Sequence, residues 1–517
     1  MQETLSVPAD KSGLLLGHPK GLYVLFLTET WERFSYYGMR ALLVLYLTQR
    51  FLLSDSRSFA IYGAYTALVY ISPLLGGMIA DRFFGYNRSV AVGAGLMIIG
   101  HFGFAIQDFH YAGAAFSRGS SASQGSLEFF YISRAFLIPG VGFLKGNIST
   151  MVGRLYERES QLRDSGFVIF FWGVNIGATL AAFTCGYVGQ TYGWGYGFGL
   201  AGLGMCAGLA TFLLGQRYLQ REDRPRGTRA LEIFGIRIPR RLVPIAAILA
   251  TFLFSWGLMQ RAEITGYIVV GTVAAAFAWT IRYSIRHMDK VERERVWCAL
   301  IIWAMWACYA ALIEQTGSSL NLFAARLVEL RVSGLQIQAS QLQGATTLFL
   351  LVLSPFFAWF WVYLDRHKLN PATPPKLCLA IFALAAGFGV LVLGTLFPDL
   401  AGKVSVLWLF LTYGCFAIAA LILQPIGLST VTRLTADRIV GFMVGLWMLA
   451  VAIGSYAAAQ IAKLSSLNVD LHQNVPGAVM LTHYRNFFSS VGISALALAL
   501  GFSALTPVMR KWMHGMR

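Results

Sequence analysis

Charge is what this 517-residue chain has least of: Asp, Glu, Lys and Arg make up 13% of it, against roughly a quarter in water-soluble domains. With 56% apolar residues, it lacks the polar surface that would keep a chain of this length dispersed in water. Cysteine is scarce as well. The six, Cys185, Cys206, Cys298, Cys308, Cys378 and Cys415, fall singly inside apolar stretches. That excludes close-paired zinc-ligand spacing and argues against a disulfide framework; they read as small packing residues. No helical stretch carries His and acid at metal-ligand spacing, and no Gly-rich phosphate loop follows a strand, so a membrane-embedded enzyme finds no support. The first 20 residues lack the basic, apolar and small-residue regions of a cleavable leader, so the first helix is expected to remain in the mature protein. No polar stretch is long enough to form a soluble domain beside a single anchor.

What the chain does have is a succession of apolar runs of about 20 residues, the length that crosses a bilayer. Hydropathy places helices at 21–49, 58–80, 88–107, 127–152, 166–188 and 195–215, then at 242–260 and 264–286, then at 296–320, 338–364, 376–397, 403–430, 437–462 and 484–509. The expected fold class is an all-α integral membrane protein of about fourteen transmembrane helices. Its segments are a cytoplasmic stretch 1–20, a six-helix bundle 21–216, a basic linker with two further helices 217–295, a second six-helix bundle 296–510 and a cytoplasmic tail 511–517. The net charge of +17 suggests nucleic acid until its distribution is examined. With the N-terminus inside, 28 of the 41 Lys and Arg fall in cytoplasmic segments and 9 in outer loops, the positive-inside bias. The densest run, Arg217 to Arg241 with eight arginines, reads as a juxtamembrane segment facing anionic lipid. The excess charge is topological.

Two six-helix halves joined by a central segment match the major facilitator layout, in which substrate binds near the midplane between halves. After the second helix, Gly77-Met78-Ile79-Ala80-Asp81-Arg82-Phe83-Phe84-Gly85-Tyr86-Asn87-Arg88 fits that superfamily's G-x-x-x-D-R-x-x-G-x-x-R loop. Asp81 and Arg82 read as structural and gating residues.

A charge at mid-bilayer costs roughly 2.5–3.5 kcal/mol on insertion scales, so each needs a reason. The first helix carries Glu29, Glu32, Arg33 and Arg40, with Tyr36 and Tyr37 between them, all within an arc of roughly 140° at 100° per residue. Two acids and two bases on one stripe neutralise each other and make burial tolerable. The stripe reads as a proton-titrating and substrate-binding face, with a purely structural ion cluster as the alternative. In the fourth helix Lys145 must meet a carboxylate, lose its proton or snorkel to the interface. Arg134, eleven residues earlier on the same face, reads as snorkelling or as pairing with Glu128, with a functional role as the alternative. Glu314 is the one acid deep in a helix of the second half, and Arg40 is its natural partner. His101, in the third helix, reads as a packed core residue.

At these positions the chain resembles the proton-dependent oligopeptide transporter family, of bacterial type, over nearly its whole length. Glu29-Thr30-Trp31-Glu32-Arg33-Phe34-Ser35-Tyr36-Tyr37-Gly38-Met39-Arg40 fits that family's E-x-x-E-R-F-x-Y-Y-G-M-R motif. Lys145 with Asn147-Ile148-Ser149-Thr150, Phe171 to Gly177 with Asn175, Glu314-Gln315, Pro425-Ile426-Gly427-Leu428-Ser429 and Trp447 resemble its further signatures. The resemblance implies proton coupling by Glu29, Glu32, Arg33 and Glu314. It implies peptide binding by Arg40 and Lys145 at the carboxylate end, with Tyr36, Tyr37, Tyr70, Asn175, Gln315, Gln424 and Trp447 also contacting the peptide. A site with cations on one side and acids on the other would hold both ends of a di- or tripeptide, which lie about 6–10 Å apart. Three positions depart from the pattern. Ala420 stands where most members carry a tenth-helix glutamate that receives the peptide amine, Gly63 where animal members place a histidine, and Gly146 where a proline follows the lysine.

The expected function is therefore a proton-coupled symporter importing di- and tripeptides by alternating access. The alternatives are a member specialised for another carboxylate-bearing solute, such as an amino acid or modified peptide, and a peptide sensor without transport. No cofactor is called for beyond the proton as coupling ion. The expected partners are small peptides, protons and membrane lipid, without nucleic acid. The expected setting is a monomer in the bacterial inner membrane, with both termini cytoplasmic.

Overall fold

In lipid every backbone N–H and C=O must be satisfied within the chain, so apolar spans become helices. The computed structural model describes residues 14–111, 121–157, 160, 162–219, 231–233, 236–239, 242–332, 334–466 and 475–515. Most of the basic run Arg217–Arg241, and parts of both terminal segments, lie outside the described residues.

The first helices are α1 (Lys20–Gln49), α2 (Asp55–Ile79), α3 (Tyr86–His110), α4 (Ser121–Arg154), α5 (Leu162–Thr191) and α6 (Trp194–Gly215). Then come α7 (Val243–Gln260) and α8 (Ala262–His287), followed by α9 (Lys290–Ile313), α10 (Ser319–Leu327), α11 (Gln343–Arg366), α12 (Thr373–Gly394), α13 (Val406–Leu434), α14 (Val440–Lys463) and α15 (Gly477–Trp512). Among the described residues, thirteen spans are long and apolar enough to cross a membrane. α1, at 30 residues, is a fourteenth by length; its buried Glu29, Glu32, Arg33 and Arg40 set it apart. The expected helices thus all form, mostly within a few residues of their expected limits.

One expectation fails. The span expected as a continuous helix over 296–320 is broken: α9 stops at Ile313, a tight turn covers Glu314–Gly317, and α10 begins after Ser318. The run Thr316-Gly317-Ser318-Ser319 consists of weak helix formers. Ser318 bonds back to the Glu314 carbonyl at 3.1 Å, closing the turn locally. Glu314 therefore sits on a helix break, where its side chain can leave the helix surface.

α1 packs on α5 and α6, α3 on α4 and α6, and α2 on α4. α12 packs on α13 and α15, α9 on α13 and α14, and α11 on α13. The two sets meet along α2–α14 and α5–α11, while α7 leans on α4 and α2 and α8 on α14 and α2. Glycine allows a close crossing of α2 and α4. A Cβ on Gly142 of α4 would lie 2.9 Å from Ser72 Cβ of α2, so only a bare backbone lets these helices touch there.

At the end where α1 finishes and α2 begins, polar side chains tie the two sets together. Arg326 of α10 donates twice to Asp55 at the start of α2, at 2.6 and 2.7 Å. Asn321 and Gln343 each donate to the Ala41 carbonyl at 3.1 Å. Thr179 of α5 bonds Thr347 of α11 at 2.9 Å. Toward the other end, Gln424 stands exposed on α13 and Asn175 half-buried on α5.

Candidate functional site

Three elements converge on one ion pair. Arg40, on the polar stripe of α1, donates from Nη2 to Glu314 Oε2 at 2.8 Å. Its Nε donates to the Tyr62 hydroxyl of α2 at 2.7 Å, and that hydroxyl donates to Glu314 Oε2 at 2.9 Å. Arg40, Tyr62 and Glu314 are all buried, so their attraction is little screened by water. Gly317 makes room for this triangle, since a Cβ there would collide with the Tyr62 hydroxyl. The expected Arg40–Glu314 partnership is present. Tyr62, which the sequence reading passed over, completes it.

About two turns earlier on α1, Arg33 Nε meets Glu29 Oε1 at 3.1 Å and also pairs with Glu32. Two acids thus share one cation in a buried cluster. Glu29 Oε2, Glu32 Oε1 and Arg33 Nη2 have no hydrogen-bond partner among the described residues. Such a cluster holds a surplus negative charge that a single proton would cancel, which is the electrostatic requirement for a proton site.

Lys145 is brought to the centre by the close α2–α4 crossing. It is half-buried, and its Nζ stands 4.1 Å from the Tyr70 ring centroid. Among the described residues no carboxylate lies within ion-pair distance of it. It neither snorkels nor pairs, and the Tyr70 face gives it partial compensation through cation–π attraction. Tyr36 and Tyr37 pack edge to face at 5.1 Å, with the Arg33 guanidinium over Tyr36 at 5.4 Å and that of Arg40 over Tyr37 at 5.5 Å.

On the opposite wall, Gln424 Nε2 reaches the Tyr309 hydroxyl at 3.3 Å. Tyr309 stacks on Trp306 at 5.1 Å, and Trp306 on Trp447 at 4.8 Å with the rings 7° from parallel. Gly427 leaves space for Trp447. Ala420 is buried one turn from Gln424.

Not every expected site residue reaches this centre. Gln315 is fully buried and its amide is spent on Ala311 O, Ala458 O and Ser319, which pins the turn to α14. Asn175 donates to Phe171 O on its own helix at 3.0 Å. Asp81 accepts from Tyr86 and Arg82 is exposed, in the π-helical turn Ala80–Phe84 that follows α2. Arg134 departs from both readings offered for it. It is fully buried, stacked 4.1 Å from the Tyr65 centroid, and its three guanidinium nitrogens have no hydrogen-bond partner among the described residues. Glu128, its expected partner, instead accepts from Gln260 at 3.2 Å. His101 is buried in the core as expected, with neither ring nitrogen bonded among the described residues.

Comparison with known proteins places these features. Residues 87–475 match the POT family. The chain is 31% identical over 510 residues to the uncharacterized transporter YclF of Bacillus subtilis, covering 96% of each chain. It is 31% identical over 482 residues to the peptide transporter YePEPT of Yersinia enterocolitica, covering 89% of this chain and 90% of that one. Among solved structures it superposes on a peptide transporter POT in complex with sulfate with a TM-score of 0.78 at 30% identity, covering 97% of both chains. A mutant of a peptide transporter POT in complex with alafosfalin gives the same TM-score, identity and coverage.

Proposed function

The chain belongs to the POT family, a multi-pass, all-α membrane protein of the major facilitator type whose relatives are transporters rather than enzymes, and from this premise we propose that it imports di- and tripeptides together with protons. The observation that carries the reading is the buried Arg40–Tyr62–Glu314 triangle between the first and second helix sets. Protonation of Glu314 removes the negative partner and frees Arg40, which together with the unpaired Lys145 then offers two cations to a peptide carboxylate. The Glu29–Glu32–Arg33 cluster is the second proton site. Binding of one proton and one carboxylate in the same pocket makes each favour the other, the thermodynamic core of symport.

The same charges govern access. With Glu314 ionised, its pair with Arg40 and the Asp55–Arg326 clasp hold one end shut. With Glu314 neutral, that end loses one of its two ionic ties and the equilibrium shifts toward opening. In this reading Asp81 and Arg82 belong to the gating turn at the opposite end. The protein works as a monomer in the inner membrane with both termini cytoplasmic, the segments 21–216 and 296–510 moving against each other and 217–295 packing beside them. The test is a liposome loaded with the purified protein and a pH-sensitive dye. Adding dipeptide outside should drive proton entry, and dipeptide entry without proton movement would refute the proposal.

A further inference from the structure

Among the described residues every acid at the centre is paired with an arginine, and Lys145 is a cation outside any ion pair. Glu29 and Glu32 are tied to Arg33, and they are 4% and 0% exposed. Glu314 is tied to Arg40 and Tyr62. Lys145 alone is both partly exposed and without a carboxylate partner among the described residues; Arg134, also unpaired, is sealed at 0% exposure. The facing wall is neutral. Ala420, Gln424 and Gly427 follow one another on a single face of α13, toward the stacked Tyr309, Trp306 and Trp447. Neither α13 nor α14 contains an Asp or Glu anywhere along its length.

A solute's ammonium group gives up its hydration on entering such a space and needs an acid in return. Glu314 cannot serve, because the proposed cycle has it either bound to Arg40 or protonated and neutral. The stacked rings offer little, since they cover each other's faces and are at most 9% exposed. An amide or acyl group, by contrast, loses little against the exposed Gln424 amide.

Resting on the transport reading above, we infer that this protein selects its solute by the carboxylate end alone, so that N-acylated peptides and N-acylated amino acids are substrates on an equal footing with free peptides. Lys145, joined by Arg40 once Glu314 is protonated, is the recognition point, and the amino end of the solute lies beside the exposed Gln424 as a neutral group.

The test is a thermal-shift titration of the purified full-length protein with dialanine, N-acetyl-dialanine and dialanine amide, ligands that stabilise the folded state in proportion to their affinity. The inference requires N-acetyl-dialanine to bind within about threefold of dialanine. It requires the amide, which has lost its carboxylate, to bind about tenfold or more weakly, the scale of one charge-assisted hydrogen bond. Binding of dialanine with a loss of about tenfold or more on acetylation overturns the inference and leaves the transport reading standing. Absence of binding by both overturns the two together. Ala420→Glu supplies the missing acid and should make dialanine bind about fivefold or more tightly than its acetyl form. A folded Ala420→Glu protein that still fails to discriminate overturns the account of why the amine is ignored, and if that variant does not fold the wild-type series decides alone.

Discussion

Replacing Asp55 by Asn should open the end of the molecule that the Asp55–Arg326 clasp closes. The two Arg326 nitrogens sit 2.6 and 2.7 Å from the two carboxylate oxygens, so the contact is bidentate. Hydrogen bonds to charged groups contribute about 1.5–3 kcal/mol each. Water reaches this pair, since the Arg326 side chain is 26% exposed and that of Asp55 9%, and screening removes part of that value. Asn keeps one acceptor but loses the charge, which leaves a net loss of about 1.5–2.5 kcal/mol. That corresponds to a rise of about 10- to 70-fold in the ratio of open to closed molecules. Spin labels at Tyr192 and Leu335, both on that end and 65% and 73% exposed, report the separation in a background without the native cysteines. Asp55→Asn should add a longer-distance population, and the exchanged pair Asp55→Arg with Arg326→Asp should remove it again. An unchanged distance distribution in Asp55→Asn would refute the claim that this pair holds the end shut.

Lys145→Ala should weaken peptide binding by about 10- to 100-fold, the loss of one charge-assisted contact to the carboxylate, measured by titration calorimetry. Tyr62→Phe deletes the hydroxyl shared by Arg40 and Glu314 and should lower proton-driven uptake about 2- to 10-fold; uptake equal to wild type would remove Tyr62 from the triangle. Gly317→Ala places a methyl against that same hydroxyl and should cost about 1–3 kcal/mol by overpacking. Gly389→Ala, at a helical site with nothing within 4 Å of the new Cβ, should leave the melting temperature unchanged or raise it, and the two are compared by thermal unfolding in detergent.

Much of the fold could be read in advance because lipid makes the rule simple: a long apolar run has to be a helix. The break at Glu314–Gly317 could not be read in the same way. Hydropathy runs straight through it, and what interrupts the helix is a run of small residues with Tyr62 pressing from α2. The polar stripe of α1 was legible because its charges are close in sequence and share one helix face. The partners of Arg40 were only half legible. Glu314 stood out as a lone acid at membrane depth, whereas Tyr62 is one of several tyrosines on α2 and nothing local marks it. Arg134 shows the opposite case. Sequence proximity pointed to Glu128, but α4 turns that carboxylate toward Gln260 and turns the guanidinium against Tyr65 and Phe130. Cation–π compensation of that kind depends on helix rotation, which local sequence does not encode. The clasp between Asp55 and Arg326 joins residues 271 positions apart, and neither lies in a motif.

The most direct test of the account is Glu314→Gln in liposomes. Gln imitates the protonated acid and cannot cycle, so the variant should still exchange labelled for unlabelled dipeptide across the membrane, yet fail to accumulate dipeptide when the outside is made acidic. Accumulation equal to that of the wild-type protein would contradict the assignment of Glu314 as the coupling acid.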